Sequence, residues 1–242
     1  MIFNPYFKGS GDAQVYISWN RGESMNRRRE FIKISIGFLA SIGLFLSPLF
    51  SAVQSAYAKA KKTILPKGTK RESLVYKNPR LLDTRNLETT ALQDFGTMGI
   101  SDHEVNLNEW RLEVTGRLTK PLRLTYSEIL ALPSVEKKVL LICPGFFANH
   151  GEWKGISMKT LLERAGVEKD VTRVTFSGPQ GLYDKMESFP IEDVLNDKVF
   201  LAYGVNEEPL PKRHGFPLRV VAEGYYGDNW VKYVYKMTLG RR

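Results

Sequence analysis

The sequence predicts an α+β domain, rich in strands and of mixed order, on three observations. About six segments read as strands against three short helical ones, and these do not alternate as regular βαβ units. The composition, 43% hydrophobic and 25% charged, is that of a chain that buries a real core. Once an N-terminal leader is set aside, roughly 180 residues remain, a normal size for one domain.

Arg27-Arg28-Arg29-Glu30-Phe31-Ile32-Lys33 precedes Ile34 to Ala58, a stretch with no formal charge that holds Gly37, Gly43 and Pro48 and ends in Ala56-Tyr57-Ala58. A basic start, an apolar middle and an Ala-x-Ala end describe an export signal. The order Arg28-Arg29-x-Phe31-Ile32-Lys33 resembles the twin-arginine signal. Residues 25–58 are therefore expected to direct export to the periplasm or another extracytoplasmic space, either cleaved or kept as a membrane anchor. Met25 stands where such a signal begins, so residues 1–24 read as an upstream extension. Beyond residue 58 the charge falls from +9 to 29 basic against 23 acidic side chains, scattered rather than clustered. No basic stripe interleaved with aromatics is left to suggest nucleic acid.

Residues 59–85 are polar and basic with little periodicity, an extended lead-in to a domain over 86–242. Trp110, Leu112 and Val114 alternate with Arg111, Glu113 and Thr115, the period of a half-buried strand that ends at Gly116; Leu122 and Leu124 continue it. Thr125-x-x-Glu128 is a capping box opening a helix from Tyr126 to Leu132 before Pro133. Val135 to Ile142 becomes wholly apolar at Val139-Leu140-Leu141-Ile142, a strand with a buried end. Ser157 is the expected N-cap of a helix carrying Leu161, Leu162 and Ala165 and closed by Gly166. Strands over Val171–Phe176 and Val199–Tyr203 flank a short helix at Ile191–Leu195. Leu218–Val221 and Trp230–Leu239 close the chain as strands, the last with Val231, Tyr233, Tyr235, Met237 and Leu239 on one face.

The single cysteine rules out an intrachain disulfide framework or a multi-cysteine metal site. Cys143 follows the buried strand and precedes Pro144-Gly145, so its thiol sits at a sharp turn. It can be a small buried hydrophobe, a nucleophile paired with His150 or His214, or a soft metal ligand. His214, Arg219 and Lys232 lie beside Gly215, Gly224 and Gly227, a combination suited to a phosphate or other anion. The plain alternative is that Arg219 and Lys232 are outward-facing strand residues balanced by carboxylates.

The run Asn206-Glu207-Glu208-Pro209-Leu210-Pro211-x-x-His214-Gly215-Phe216-Pro217-Leu218-Arg219-Val220-Val221, followed by Gly224-x-Tyr226-Gly227-x-x-Trp230-Val231-Lys232, resembles the end of the molybdopterin-binding domain of the sulfite oxidase superfamily. Cys143 followed by Trp153-x-Gly155-Ile156 and Leu161-Leu162 is similar to that domain's molybdenum-ligand region. Within the superfamily, the Cys143 to Trp153 spacing, Asp94-Phe95-Gly96-Thr97 and the twin-arginine signal look closer to the periplasmic methionine-sulfoxide reductases. Sulfite oxidases carry arginines after the ligand cysteine, where this chain has Pro144-Gly145-Phe146-Phe147. Their Arg-Asn-His segment is replaced by Thr97-Met98-Gly99. Thr90 and His214 depart from the reductase pattern in turn, which has Asn at each.

The resemblance implies a strand-rich fold of the sulfite oxidase molybdopterin-domain type, with Cys143 binding molybdenum. It implies that Ser177, His214, Arg219, Trp230, Val231 and Lys232 hold a molybdopterin and its phosphate, with Gln93 and Asp94 as a further contact segment. Tyr183 falls where sulfite oxidases place a tyrosine near the metal. The implied activity is oxygen-atom transfer, such as reduction of a methionine-sulfoxide-type substrate, with oxidation of a small sulfur substrate as the alternative. Lacking a Cys-x-x-Cys-His haem site, the chain would exchange electrons with a partner, a haem-bearing membrane subunit or a cytochrome. A cysteine hydrolase and a metal-free binding module are the rivals from other classes.

Overall fold

The computed structural model describes residues 62–181 and 185–241; the extension over 1–24, the signal over 25–58 and Tyr183 lie outside the described residues. In chain order the strands are β1 (Thr63–Ile64), β2 (Leu82–Asp83), β3 (Leu112–Gly116), β4 (Leu122–Leu124), β5 (Ser134–Cys143), β6 (Phe147–Ile156), β7 (Arg173–Ser177), β8 (Met186–Pro190), β9 (Val199–Val205), β10 (Glu208–Pro209), β11 (Arg219–Ala222) and β12 (Lys236–Gly240). The α-helices are α1 (Tyr126–Leu130), α2 (Met158–Ala165) and α3 (Ile191–Leu195). No helix among the described residues is long and apolar enough to cross a membrane.

Two five-stranded sheets and a short parallel pair of β1 with β2 make the domain. In the first, β5 and β6 form a ten-residue antiparallel hairpin from Ser134↔Ile156 to Cys143↔Phe147, β6 pairs with β9, and β9 pairs with both β10 and β11. In the second, the order is β4-β3-β12-β7-β8, and β12 runs parallel to β3. Parallel neighbours need a long crossover, and here the whole first sheet lies between them in sequence. One apolar core joins the inner faces, with Leu112, Val114, Trp153, Phe176, Leu201, Val220 and Met237 fully buried.

The helices are short because local signals begin and end them. Thr125 Oγ1 accepts from the Glu128 backbone N–H at 3.2 Å while Glu128 Oε2 accepts from the Thr125 N–H at 2.8 Å, the expected capping box. Gly166 closes α2 in the left-handed region, φ 67°, as expected of a C-terminal glycine. Its N-terminus differs from expectation: Ser157 makes no side-chain cap, and the Met158 N–H donates to Asp197 Oδ1 at 2.8 Å. The cap comes from a residue 39 positions away, beyond the reach of a local signal.

Three further differences have physical causes. The strand expected over Trp230–Leu239 is confined to Lys236–Gly240, because Tyr233 adopts φ 51° and puts Tyr233 and Val234 both into the interior. Strand β6 gives no period-two signal, since Asn149, His150 and Gly151 occupy consecutive buried positions. The lead-in is folded onto the domain: Leu65, Leu74, Val75 and Leu82 pack with Leu140, Ile142 and Ala148 as a second apolar cluster behind the β5–β6 hairpin.

Candidate active site

A cavity of about 470 Å³ opens where the first sheet ends, lined by Cys143 from β5, Arg219 from β11, His214, and residues of the loops 96–100 and 227–233. Cys143 is the last residue of β5, and the following turn is closed by the Phe146 N–H donating to the Cys143 carbonyl at 3.0 Å. Loop 96–100 is pinned to β6 by Asn149, whose Oδ1 accepts from the Gly96 N–H at 3.1 Å and whose Nδ2 donates to the Gly96 carbonyl at 2.9 Å. That clamp positions Thr97, Met98 and Ile100 along the wall.

Segment 230–234 crosses the start of β11. The Val220 N–H donates to Val231 O and the Val234 N–H to Leu218 O, each at 2.8 Å. This irregular pairing brings Lys232 opposite the turn Lys212–His214. Lys232 Nζ donates to Thr97 Oγ1 at 2.7 Å, Ile100 O at 2.8 Å and Arg213 O at 3.0 Å. Lys232 is thus half-buried, with its ammonium held by neutral oxygens.

Arg219 is only 3% exposed. Its guanidinium lies over the rings of Trp153 and Trp230, 5.1 and 5.4 Å from their centroids, and Nη1 donates to His214 O at 3.0 Å. Its Nε is buried without a partner among the described residues, and no carboxylate there comes within ion-pair reach of Arg219 or Lys232. Outward-facing, compensated cations are thereby excluded for both. Aromatic faces offset part of the cost of burying the charge, and the unmet Nε leaves room for an anionic acceptor.

These charges act on one another. Burial, then the nearby Arg219, Arg213 and Lys232, push His214 down to about 3, so its imidazole is neutral at physiological pH. Burial followed by Arg219 lowers Lys232 to about 8. The Cys143 thiol is shifted upward, first by burial and then by Asp228. Its sulfur neighbour is Met98 Sδ at 3.9 Å.

That geometry disfavours a cysteine hydrolase. An activated thiol is a lowered one with a basic histidine beside it. Here the thiol is raised, His214 is too weak a base and accepts from Arg213 Nε at 3.1 Å, and His150 lies buried with Nδ1 3.2 Å from Glu88 O.

Of the residues named from sequence, Cys143, His214, Arg219, Trp230 and Lys232 share the cavity. Val231 is fully buried in the core, its carbonyl accepts from the Val220 N–H, and it is not among the cavity's lining residues. Ser177 lines a separate open hollow over the second sheet, and its carbonyl accepts from the Tyr235 N–H at 3.0 Å. Gln93 and Asp94 are exposed on a 3-10 turn and are not among the cavity's lining residues. For these three a matching motif gave position along the chain, while the side-chain surroundings come from how the sheets meet. Asn149 and Asp228 were not anticipated: the first is one polar residue in a strand without alternation, and the second is an unspecified position between Gly227 and Trp230.

The sequence pattern of the family described as "Oxidoreductase molybdopterin binding domain" matches residues 98–242. The chain belongs to that family. Molybdopterin-domain relatives include the protein-methionine-sulfoxide reductase catalytic subunit MsrP of Gluconobacter oxydans, 30% identical over 147 residues that cover 54% of this chain and 46% of the relative. The uncharacterized oxidoreductase YuiH of Bacillus subtilis is 31% identical over 122 residues, covering 50% and 60%. An NADH nitrate reductase of Volvox carteri is 29% identical over 161 residues, covering 54% of this chain and 19% of the enzyme. The chain thus spans about half the length of the first two. Among solved structures the sulfane dehydrogenase SoxCD of Paracoccus pantotrophus shares the fold, with a TM-score of 0.55 at 23% identity over 78% of this chain and 52% of that one. The strand-rich α+β architecture is that of a sulfite oxidase-type molybdopterin domain.

The cavity fits the molybdenum–pterin cofactor that the family implies. Arg219 with its unmet Nε and Lys232 with no carboxylate suit a phosphate. No three His, Cys, Asp or Glu side chains among the described residues converge on a metal, so one bound through Cys143 would take its other ligands from the cofactor. A single soft sulfur is the protein donor such a site needs.

Proposed function

We propose that the protein is an exported molybdenum–molybdopterin oxidoreductase that transfers an oxygen atom, reducing sulfoxides such as methionine sulfoxide. The observation that carries this reading is the buried, uncompensated Arg219 facing the same cavity as the only cysteine. Arg219 and Lys232 would hold the cofactor's phosphate, Arg219 as a fork pre-oriented by two indoles and Lys232 as a point charge. His214 stays neutral and completes the wall without adding a further cation. Trp230 closes one side against water, and Val231 anchors the segment between Trp230 and Lys232 in the core. Cys143 would give up its proton on coordination, since a metal overrides the upward shift of the free thiol. When bound, the cofactor supplies two-electron oxygen-atom exchange. Overall, a sulfoxide, two electrons and two protons become a thioether and water.

The electrons would come from a haem-bearing membrane subunit or a cytochrome. The twin-arginine segment over 25–58 supports export after folding around the cofactor. MsrP, by its name, is a catalytic subunit acting on protein methionine sulfoxide, and this supports both the substrate class and an electron-supplying partner.

The test is elemental and pterin analysis of the full chain purified from a molybdenum-replete host. About one molybdenum per chain is expected, falling to none in Cys143→Ala with an unchanged circular dichroism spectrum. Absence of molybdenum with Cys143 intact would reject the proposal.

A further inference from the structure

The two ends of the cavity carry opposite charge. Lys232 and Arg219 are gathered where Thr97, Ile100 and His214 offer their oxygens. Asp228 and Cys143 line the same cavity. The turn Gly227–Asn229 is pressed onto the end of β5, so tightly that a Cβ on Gly227 would come within 3.0 Å of Leu141 Cδ2 and 3.2 Å of the Ile142 carbonyl. That packing sets the next residue, Asp228, beside the strand end that carries the thiol. Its carboxylate is exposed and makes no ion pair among the described residues, while Lys185, which also lines the cavity, is engaged by Glu187 at 3.3 Å. The remaining surroundings of the sulfur are soft and apolar, Met98 Sδ at 3.9 Å and the neighbouring Phe147 and Leu141 side chains.

We infer that Asp228 is a specificity-determining residue that sets the charge selectivity of the cavity mouth. It admits neutral or cationic oxygen acceptors, of the sulfoxide or amine-oxide class, and turns away oxyanions such as sulfite and nitrate. The inference rests on the reading of Cys143 as the reacting end. A like charge at the mouth opposes an anion both on approach and in place, and a neutral S=O or N–O group meets no such penalty. The cations at the opposite end are then reserved for the phosphate, and a substrate anion that could compete for them is filtered out first.

The chain has one cysteine, which makes the test specific. Full-length protein made without molybdenum is treated with methanethiosulfonates bearing either a trimethylammonium or a sulfonate group, and the ratio of the two rates is compared with that of free N-acetylcysteine. The thiol's own acidity cancels in the ratio. At low ionic strength the cationic reagent is expected to gain about three- to tenfold over the reference ratio, an advantage that shrinks at 0.5 M salt. Asp228→Asn should bring the ratio back to within about twofold of the reference, and Asp228→Lys should invert it. A wild-type ratio at or below the reference, or one that Asp228→Asn leaves unchanged, overturns the inference. In the molybdenum-loaded enzyme, sulfate should inhibit dimethyl sulfoxide turnover more strongly in Asp228→Asn than in wild type. Molybdenum content, measured on the same preparations, separates a failure of this inference from a failure of the cofactor assignment.

Discussion

Arg213 Nε donates to His214 Nε2 at 3.1 Å, so the imidazole serves as an acceptor inside a group of cations. Its fall to about 3, from burial and then Arg219, Arg213 and Lys232, makes this a statement about stability. The unfolded chain binds a proton at His214 near pH 6.5 and the folded chain does not until about 3. Stability is therefore whole above 6.5 and is lost as pH falls through this window, by up to about 1.4 kcal/mol per pH unit. Urea denaturation of cofactor-free protein between pH 7 and pH 4.5 should show a steeper loss in wild type than in His214→Asn. Parallel profiles would show that His214 is not held neutral.

Arg219→Met separates cofactor binding from folding. Replacing a buried charge by an apolar side chain of similar length relieves desolvation by about 1–4 kcal/mol. It also strips a hydrogen bond from the His214 carbonyl, which costs about 1–3 kcal/mol. The two nearly cancel, so cofactor-free stability should stay within about 2 kcal/mol of wild type while molybdopterin retention is lost. Chemical denaturation and pterin content measure the two halves; a large destabilisation with cofactor retained would contradict the assignment of Arg219.

Two glycines should respond differently to alanine. At Gly155 an added Cβ would lie 2.1 Å from the Leu201 backbone oxygen, across the bulged β6–β9 pairing. Backbone cannot yield there without breaking the ladder, so Gly155→Ala should cost more than about 3 kcal/mol or prevent folding. At Gly96 the clash is with a side chain rather than backbone, 2.4 Å from Phe147 Cγ and 2.9 Å from its Cβ, so relief comes from displacing the loop that carries Gly96. Gly96→Ala should fold, at a cost of about 1–3 kcal/mol, but shift the loop that carries Thr97 and Ile100 away from Lys232 and weaken cofactor retention. Denaturation midpoints together with molybdenum content distinguish the two.

The α2 cap makes the fourth prediction. Since Asp197 Oδ1 accepts from the Met158 N–H at 2.8 Å and Ser157 caps nothing, Asp197→Ala should cost about 1–2 kcal/mol and Ser157→Ala less than about 0.5. Equal effects in thermal or urea unfolding would restore the local cap.

Much of this molecule is legible in one dimension. Leu112 and Val114 point inward because alternation dictates it, the α1 capping box closes within four residues, and Cys143 had to stand at the end of a buried strand. The resemblance named His214, Arg219 and Lys232 together, and the three line one cavity. What escaped has a common cause. Strand β6, the Asp197 cap and the break at Tyr233 depend on partners far along the chain, and no local period encodes them.

The lone cysteine, its place at a turn and the charges near the C-terminus are properties of the sequence by itself. Whether Arg219 is a solvated strand residue or a buried, uncompensated cation was decided by the tertiary structure, which set Trp153 and Trp230 against it. Gln93, Asp94 and Ser177 were separated from the cavity and Asp228 was brought to it by the same packing. The physical reason is that side-chain period selects the face a residue shows, while the neighbours across that face, and hence its charge environment, come from which strands pair and which loops cross them.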